Sequence, residues 1–104
     1  MEVRIREKLR KHQRRVEARA ARLDDLGMGM DFQDLKRETR AITDALDHRH
    51  LNDISPFDRM SPTAENLAAH IYERLKTALK GPVVRIHAVT IFETDRCSVR
   101  YCED

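Results

Sequence analysis

The apolar positions of this chain fall into three different periods, and each predicts a different element. Leu67, Ile71, Leu75 and Leu79 recur at helical spacing, flanked by Ala68 and Ala78. Ser61 is suited to cap the start, and Pro62 to be the first helical residue, where a missing N–H costs nothing. Gly81 can take the left-handed position after the end, and Pro82 prevents continuation. An earlier helix is predicted over about 32–46, with Leu35, Ile42, Ala45 and Leu46 as its apolar stripe. Lys36, Arg37, Glu38 and Arg40 are left for solvent. Between His50 and Met60, Asn52, Asp53, Ser55 and Pro56 crowd together and predict a loop.

After Pro82 the period shortens. The run from Val83 to Phe92 is rich in β-branched residues and predicts a strand buried on at least one face. Thr94, Asp95 and Arg96 can turn, and Cys97 to Tyr101 can return as a second strand, giving a C-terminal hairpin. The first 23 residues fit two patterns. Ile5, Leu9, His12, Val16 and Leu23 can share a helix face, whereas Val3 and Ile5, then Val16, Ala18 and Ala20, alternate as in strands. Propensity favours helix, because Arg, Lys, Glu and Ala dominate; tertiary packing can override so weak a preference.

Composition narrows the class. A chain of 104 residues, 40% hydrophobic and 5% aromatic, has room for one domain with a modest core. With 37% charged residues and no tryptophan, it is expected to lean on partner subunits for stability. No apolar run approaches the roughly 20 residues that span a bilayer, and the basic start lacks the apolar stretch of a leader. The expected compartment is the cytoplasm. Cys97 and Cys102 do not make a Cys-x-x-Cys pair, and their odd separation on one strand sets them on opposite faces, so both read as ordinary thiols. The overall charge of +2 is uneven: residues 1–23 carry nine Lys/Arg against three Glu, a net of +6, leaving −4 for the rest. Such an arm suits nucleic acid, an acidic ligand or an acidic neighbouring subunit. No aromatic residue is interleaved to stack bases, which disfavours nucleic acid against a solvated or inter-subunit surface.

Four stretches, read in order, carry a family resemblance. Leu26-Gly27-Met28-Gly29-Met30-Asp31-Phe32-Gln33-Asp34-Leu35-Lys36 resembles the "G-M-x-M-D-F-x-D-L-K" entry to the first helix of the 6-pyruvoyltetrahydropterin / 6-carboxytetrahydropterin synthase family. Leu46-Asp47-His48-Arg49-His50-Leu51-Asn52-Asp53 is similar to that family's "L-D-H-x-x-L-N-D", and Ser61-Pro62-Thr63-Ala64-Glu65-Asn66-Leu67-Ala68 to its "N-P-T-A-E-N-L-A". Phe92-Glu93-Thr94 resembles the "E-T" that ends the third strand. The resemblance covers about residues 23–104 of a single domain, with 1–22 a basic, divergent segment. It implies an α+β T-fold, an antiparallel four-stranded sheet carrying two helices on one face. Subunits of such a fold join edge to edge into a barrel, here expected as a homohexamer made of two trimers with sites between subunits.

The resemblance also assigns roles. Glu93 would anchor a pterin-like ligand, its carboxylate accepting from the ring's 2-amino group and adjacent N–H; the alternative is a strand-end Glu in solvent. Thr63 and Glu65 would border the ring at the second helix's N-terminus, where free N–H groups can meet ligand oxygens, although plain capping accounts for both types. Asp47 and His48 match a pair that serves proton transfer, a carboxylate fixing the tautomer and basicity of an imidazole. The alternative is a His that favours a helix C-terminus. His48-Arg49-His50 is half a metal site, and His70 and His87 stand alone, so no metal and no cofactor are expected.

The departures fall on the chemistry. Family members hold zinc with three histidines, two in a "C-x-x-L-H-G-H-N" stretch of the second strand and one on the first. Laid along that stretch, residues 8–17 keep only His12 in a ligand position. Arg10 stands where the other His of the pair belongs, and the cysteine position falls on Arg6. The strand before it is expected to be missing or much shortened. One His beside Arg10 and Lys11 cannot hold zinc, because cations repel it; Arg10, Lys11 and Arg14 suit an anionic substituent instead. The favoured reading is therefore a pterin-binding homologue without the zinc-dependent reaction. An active lyase of the synthase type is the alternative, and an oligomeric structural or nucleic-acid-binding T-fold protein is the third reading.

Overall fold

The computed structural model describes residues 2–10, 13–22, 28–48, 53, 55, 57–79 and 84–103, with the backbone alone at 2, 22, 28–32 and 84. The elements run β1 (Glu2–Leu9), β2 (Arg14–Arg22), α1 (Met28–Asp47), α2 (Ala64–Ala78), β3 (Val84–Phe92) and β4 (Ser98–Tyr101). The four strands form one antiparallel sheet in the order β1-β2-β3-β4.

The N-terminal ambiguity resolves as a hairpin, against the helical propensity of its residues. Leu9, Val16, Ala18 and Ala20 are buried, while Arg4, Arg6, Lys8 and Arg15 are exposed. Only a period of two puts these apolar side chains on one side. Alanine is a poor strand former, but small side chains at Ala18 and Ala20 let the helices approach the sheet closely, and that packing overrides propensity. Nor is the first strand lost: β1 pairs with β2 through eight residues, from Glu2↔Ala21 to Leu9↔Arg14. Residues 6–17, read from sequence as one strand, are thus divided between two. The Gln13 N–H donates to the Arg10 carbonyl (3.2 Å), and Gln13 sits at φ 53° to close the turn. His12 and Lys11 lie outside the described residues.

Helix α1 begins four residues before the predicted start. Its buried side chains are Leu35, Thr39, Ile42, Thr43 and Leu46, whereas Ala45 is exposed. Two threonines complete the stripe because their hydroxyls are satisfied within the helix: Thr39 Oγ1 donates to the Leu35 carbonyl (2.7 Å) and Thr43 Oγ1 to that of Arg40 (3.1 Å). Helix α2 buries Ala64, Leu67, Ala68, Ile71, Tyr72 and Leu75. Its cap is Thr63 and not Ser61, two residues later than the sequence suggests. Thr63 Oγ1 accepts from the Asn66 N–H (3.2 Å), while the Ser61 carbonyl is taken by the Asn66 side-chain amide (2.7 Å). The predicted stop at Gly81 and Pro82 lies outside the described residues; Leu79 ends the helix with its N–H on the Leu75 carbonyl (2.9 Å).

Both helices cover the same face of the sheet. Ile86, Val89 and Ile91 of β3 complete the core beneath them. A bulge between Arg19 and Ala20 leaves His87 unpaired and exposed. Tyr101 closes the C-terminal side edge-to-face on Tyr72 (centroids 5.1 Å apart). Cys97 and Cys102 flank β4 as exposed free thiols, as expected.

Two outcomes follow from this packing. Leu67→Ala, which empties a fully buried position, is expected to cost about 2–5 kcal/mol in chemical unfolding; a loss below about 1 kcal/mol would contradict the core assignment. His70, edge-on to Phe57 (5.2 Å) and half-buried, has its imidazole pKa pulled below the ordinary 6.5, first by burial and then by Arg74. Its neutral form is therefore favoured in the folded chain. That contribution is complete above about pH 6.5 and is lost as pH falls through the lowered folded value. The unfolding midpoint should drop more between pH about 7.5 and about 5 in the wild type than in His70→Gln; equal drops would exclude His70 as the cause.

Candidate functional site

One end of the sheet gathers most of the chemistry-bearing residues. The antiparallel ladder brings the β1–β2 turn and the β3–β4 turn to the same end, since Leu9 opposes Arg14, Arg15 opposes Phe92 and Phe92 opposes Ser98. The last residue of α1 reaches that end too: an Asp47 carboxylate oxygen accepts the backbone N–H of Arg10 (3.2 Å). So does the start of α2, where Arg14 Nη1 donates to the Pro62 carbonyl oxygen (3.2 Å).

Around Asp47 lies a cleft of about 470 Å³, lined by Glu7, Lys8, Arg10, Arg40, Asp44, Asp47 and His48. Helical spacing sets Arg40, Asp44, Asp47 and His48 on one side of α1, and strand alternation sends Glu7 toward them. Arg40 Nε lies 3.5 Å from a Glu7 carboxylate oxygen, so one wall is an ion pair between strand and helix. His48 is exposed at the mouth, its N–H bonded to the Asp44 carbonyl (3.1 Å). The sequence-predicted residues Asp47 and His48 thus both line a polar cleft with both charge signs on its walls. Glu7, Arg40 and Asp44 were not singled out from sequence. The signal for the latter two was their helical spacing from Asp47 and His48.

Glu93 sits in the bend after β3, its N–H donating to the Cys97 carbonyl (3.0 Å). Its side chain is 47% exposed in the single chain. Arg14 Nη2 stands 3.6 Å from one of its oxygens. Through Arg14, Glu93 is joined to the residue just before Thr63. Thr63 and Glu65 are exposed there, Thr63 as the helix cap and Glu65 in the first turn. Arg14 itself was seen in sequence only as a candidate anion ligand; its bridge between β2, α2 and Glu93 is long-range and has no local signature.

Arg6, which the sequence alignment set at the cysteine position, points elsewhere. It alternates with Glu7 along β1, and its Nε donates to the buried Glu17 across the ladder (2.8 Å), on the face away from the helices. Among the described residues, no group of three or more His, Cys, Asp or Glu is placed to hold a metal ion. The described side chains that share the cleft with Arg10 are Glu7, Lys8, Arg40, Asp44, Asp47 and His48. His50 and the remainder of the loop from Arg49 to Asn52 lie outside the described residues. Among the described residues, no helix is long and apolar enough to cross a membrane.

Comparison with known proteins agrees with this fold. The family model described as 6-pyruvoyl tetrahydropterin synthase matches residues 10–104. The human 6-pyruvoyl tetrahydrobiopterin synthase is 38% identical over 77 residues, covering 72% of this chain and 52% of that protein. The dihydroneopterin monophosphate aldolase of Pyrococcus furiosus is 36% identical over 73 residues, covering 70% of this chain and 60% of that protein. The chain thus spans little more than half the length of these curated relatives. The solved Caenorhabditis elegans 6-pyruvoyl tetrahydropterin synthase superposes with a TM-score of 0.73 at 31% identity, over 89% of this chain and 68% of that one. Matched along nearly all its length, and sharing the T-fold of four antiparallel strands under two helices, the chain belongs to the 6-pyruvoyl tetrahydropterin synthase family.

Proposed function

We propose that this protein binds a pterin-like small molecule at the Glu93 end of the sheet and does not carry out the zinc-dependent synthase reaction. The observation that carries the reading is the Arg14 bridge, which holds an accessible carboxylate beside the N-terminus of α2. A pterin edge offers two adjacent donors, and an ionised carboxylate is their natural bidentate acceptor. Thr63 and Glu65, at the start of the helix that Arg14 contacts, would meet the far side of the ring. The half-exposure of Glu93 suits a site completed by a neighbouring subunit. Among the described residues no strand pairs with the outer edges of β1 and β4, which supports edge-to-edge assembly into a homohexamer of two trimers, and the reading sets the protein in the cytoplasm.

Against the zinc reaction stands the chemistry of the donors. Arg10 and Lys8 flank the cleft where neutral imidazoles would be needed, and Arg6 is tied to Glu17 on the opposite face. Asp47 and His48 remain as the groups able to move a proton, so any chemistry retained would be acid–base at that cleft.

Neopterin titrated into the purified protein, followed by fluorescence, should bind saturably. Glu93→Ala should weaken that binding by roughly tenfold to a hundredfold, the scale of losing a charge-assisted pair. Wild-type protein that binds no neopterin, or a folded Glu93→Ala that binds it unchanged, would remove the pterin reading.

A further inference from the structure

We infer that the face of the sheet turned away from the helices binds linear polyphosphate, a chain of phosphate groups that carries no bases. The inference is independent of the pterin reading and uses none of its ligand residues.

The basic excess of the first two strands does not form a loose arm, because strand alternation turns it onto one surface. Arg4, Arg6 and Lys8 alternate with Val3, Ile5, Glu7 and Leu9 along β1, and Arg15, Glu17 and Arg19 with Val16, Ala18 and Ala20 along β2. The register lines them up in rows. Arg4 stands opposite Arg19, Arg6 opposite Glu17, and Lys8 opposite Arg15. The middle row continues from Glu17 through Thr90 to Arg100 of β4. Two of the three rows therefore set cation directly against cation, which costs stability unless an anion lies over them.

The acidic groups near these rows do little to balance them. The Glu17 side chain is 8% exposed and is taken up by Arg6 at 2.8 Å. Asp95, in the turn after β3, lies 3.7 Å from Arg15 with both side chains largely exposed, a contact too long and wet to neutralise the surface. Glu17, Ala88 and Thr90 are buried although neither helix covers this side. Arginine stems lying over them account for that and hold the charged ends outward. Between Arg6 and Arg15 a depression of about 140 Å³, edged by Glu17, Phe92 and Asp95, gives one anionic group a seat.

The surface also chooses among anions. Strands lie about 4.8 Å apart and alternate residues of one strand about 6.7 Å apart, so the cations form a grid and not a line. A polyphosphate carries charge on every phosphorus and bends freely, so one chain can serve successive rows. Each guanidinium can fork onto phosphate oxygens. A nucleic acid would bring bases with it, and Phe92 is the single aromatic ring among the described residues of this face, so no row of rings is there to stack them. In the edge-to-edge assembly proposed above, with the helices outside, this face would line the interior, where the fields of neighbouring copies add.

The test titrates long-chain sodium polyphosphate into the full chain by calorimetry. Wild type should bind saturably, and its affinity should fall by roughly tenfold or more between about 50 and about 200 mM salt. Arg15→Glu/Arg100→Glu, which reverses two charges of the face, should weaken binding by roughly tenfold or more. Lys36→Glu/Arg74→Glu, the same change of charge at exposed helix positions, should leave it within about threefold. If the first double variant does not fold, judged by circular dichroism, Arg15→Gln/Arg100→Gln carries the test in the same direction. A wild type that binds no polyphosphate, or equal losses in the two folded double variants, overturns the inference. So does tighter binding of oligothymidylate or polyglutamate that is lost in the same variant, which would assign the face to that partner instead. None of these results bears on neopterin binding.

Discussion

Everything at the candidate site depends on one packing constraint: two helices must lay their apolar stripes on the same alternating face of a sheet whose β2 strand is built from alanines and arginines. Ala18 and Ala20 leave room for that approach, and Leu35, Leu67, Ile71 and Leu75 fill it from above. Once the helices are seated, their inner ends have no freedom. The C-terminus of α1 meets the β1–β2 turn through Asp47 and Arg10, and the N-terminus of α2 meets β2 through Pro62 and Arg14. Removing apolar contact from this layer would not simply weaken the fold. It would also loosen the turn that carries Glu93 from the helix that carries Thr63, leaving the Arg14 bridge to hold them without the shared core beneath.

The electrostatics then divide along the two faces. On the helix side, cations meet carboxylates: Arg40 with Glu7, Arg14 with Glu93. These contacts span 3.5–3.6 Å and are partly wet, so they position groups more than they stabilise the fold. On the opposite face Arg6 neutralises the buried Glu17, the closer pair at 2.8 Å. Arginines crowd the strand segment where the family resemblance would place zinc histidines. On the proposed reading, the chain keeps an acceptor for a pterin edge and exchanges metal ligands for donors. Recognition by fixed hydrogen bonds fits that exchange better than Lewis-acid chemistry does.

Much of this was legible in sequence, for identifiable reasons. Helix α2 declared itself through Leu67, Ile71 and Leu75 because nothing about its stripe is polar. The C-terminal hairpin did so through its β-branched run. Glu93, Thr63, Glu65, Asp47 and His48 were singled out by motif; the structure sets Asp47 and His48 in one cleft and links Glu93 to the start of α2 through Arg14. Two things stayed hidden, and one was left open between helix and strand. Thr39 and Thr43 read as polar until their hydroxyls turn back onto the helix carbonyls. The N-terminal hairpin was masked by Arg, Lys, Glu and Ala, whose helical preference loses to burial of one strand face. The role of Arg14 rests on contacts 48 residues apart in the chain, which no local pattern encodes.

The central claim is that the pocket recognises a pterin without zinc. The most direct measurement is a calorimetric titration of neopterin into protein stripped with a chelator, repeated after one equivalent of zinc is added. A ligand that never touches the metal must bind both preparations alike, by reciprocity of coupling. The account predicts dissociation constants within about twofold of each other, and zinc that washes away on desalting. Neopterin binding that appears only after zinc is restored, with zinc retained one per chain, would contradict it.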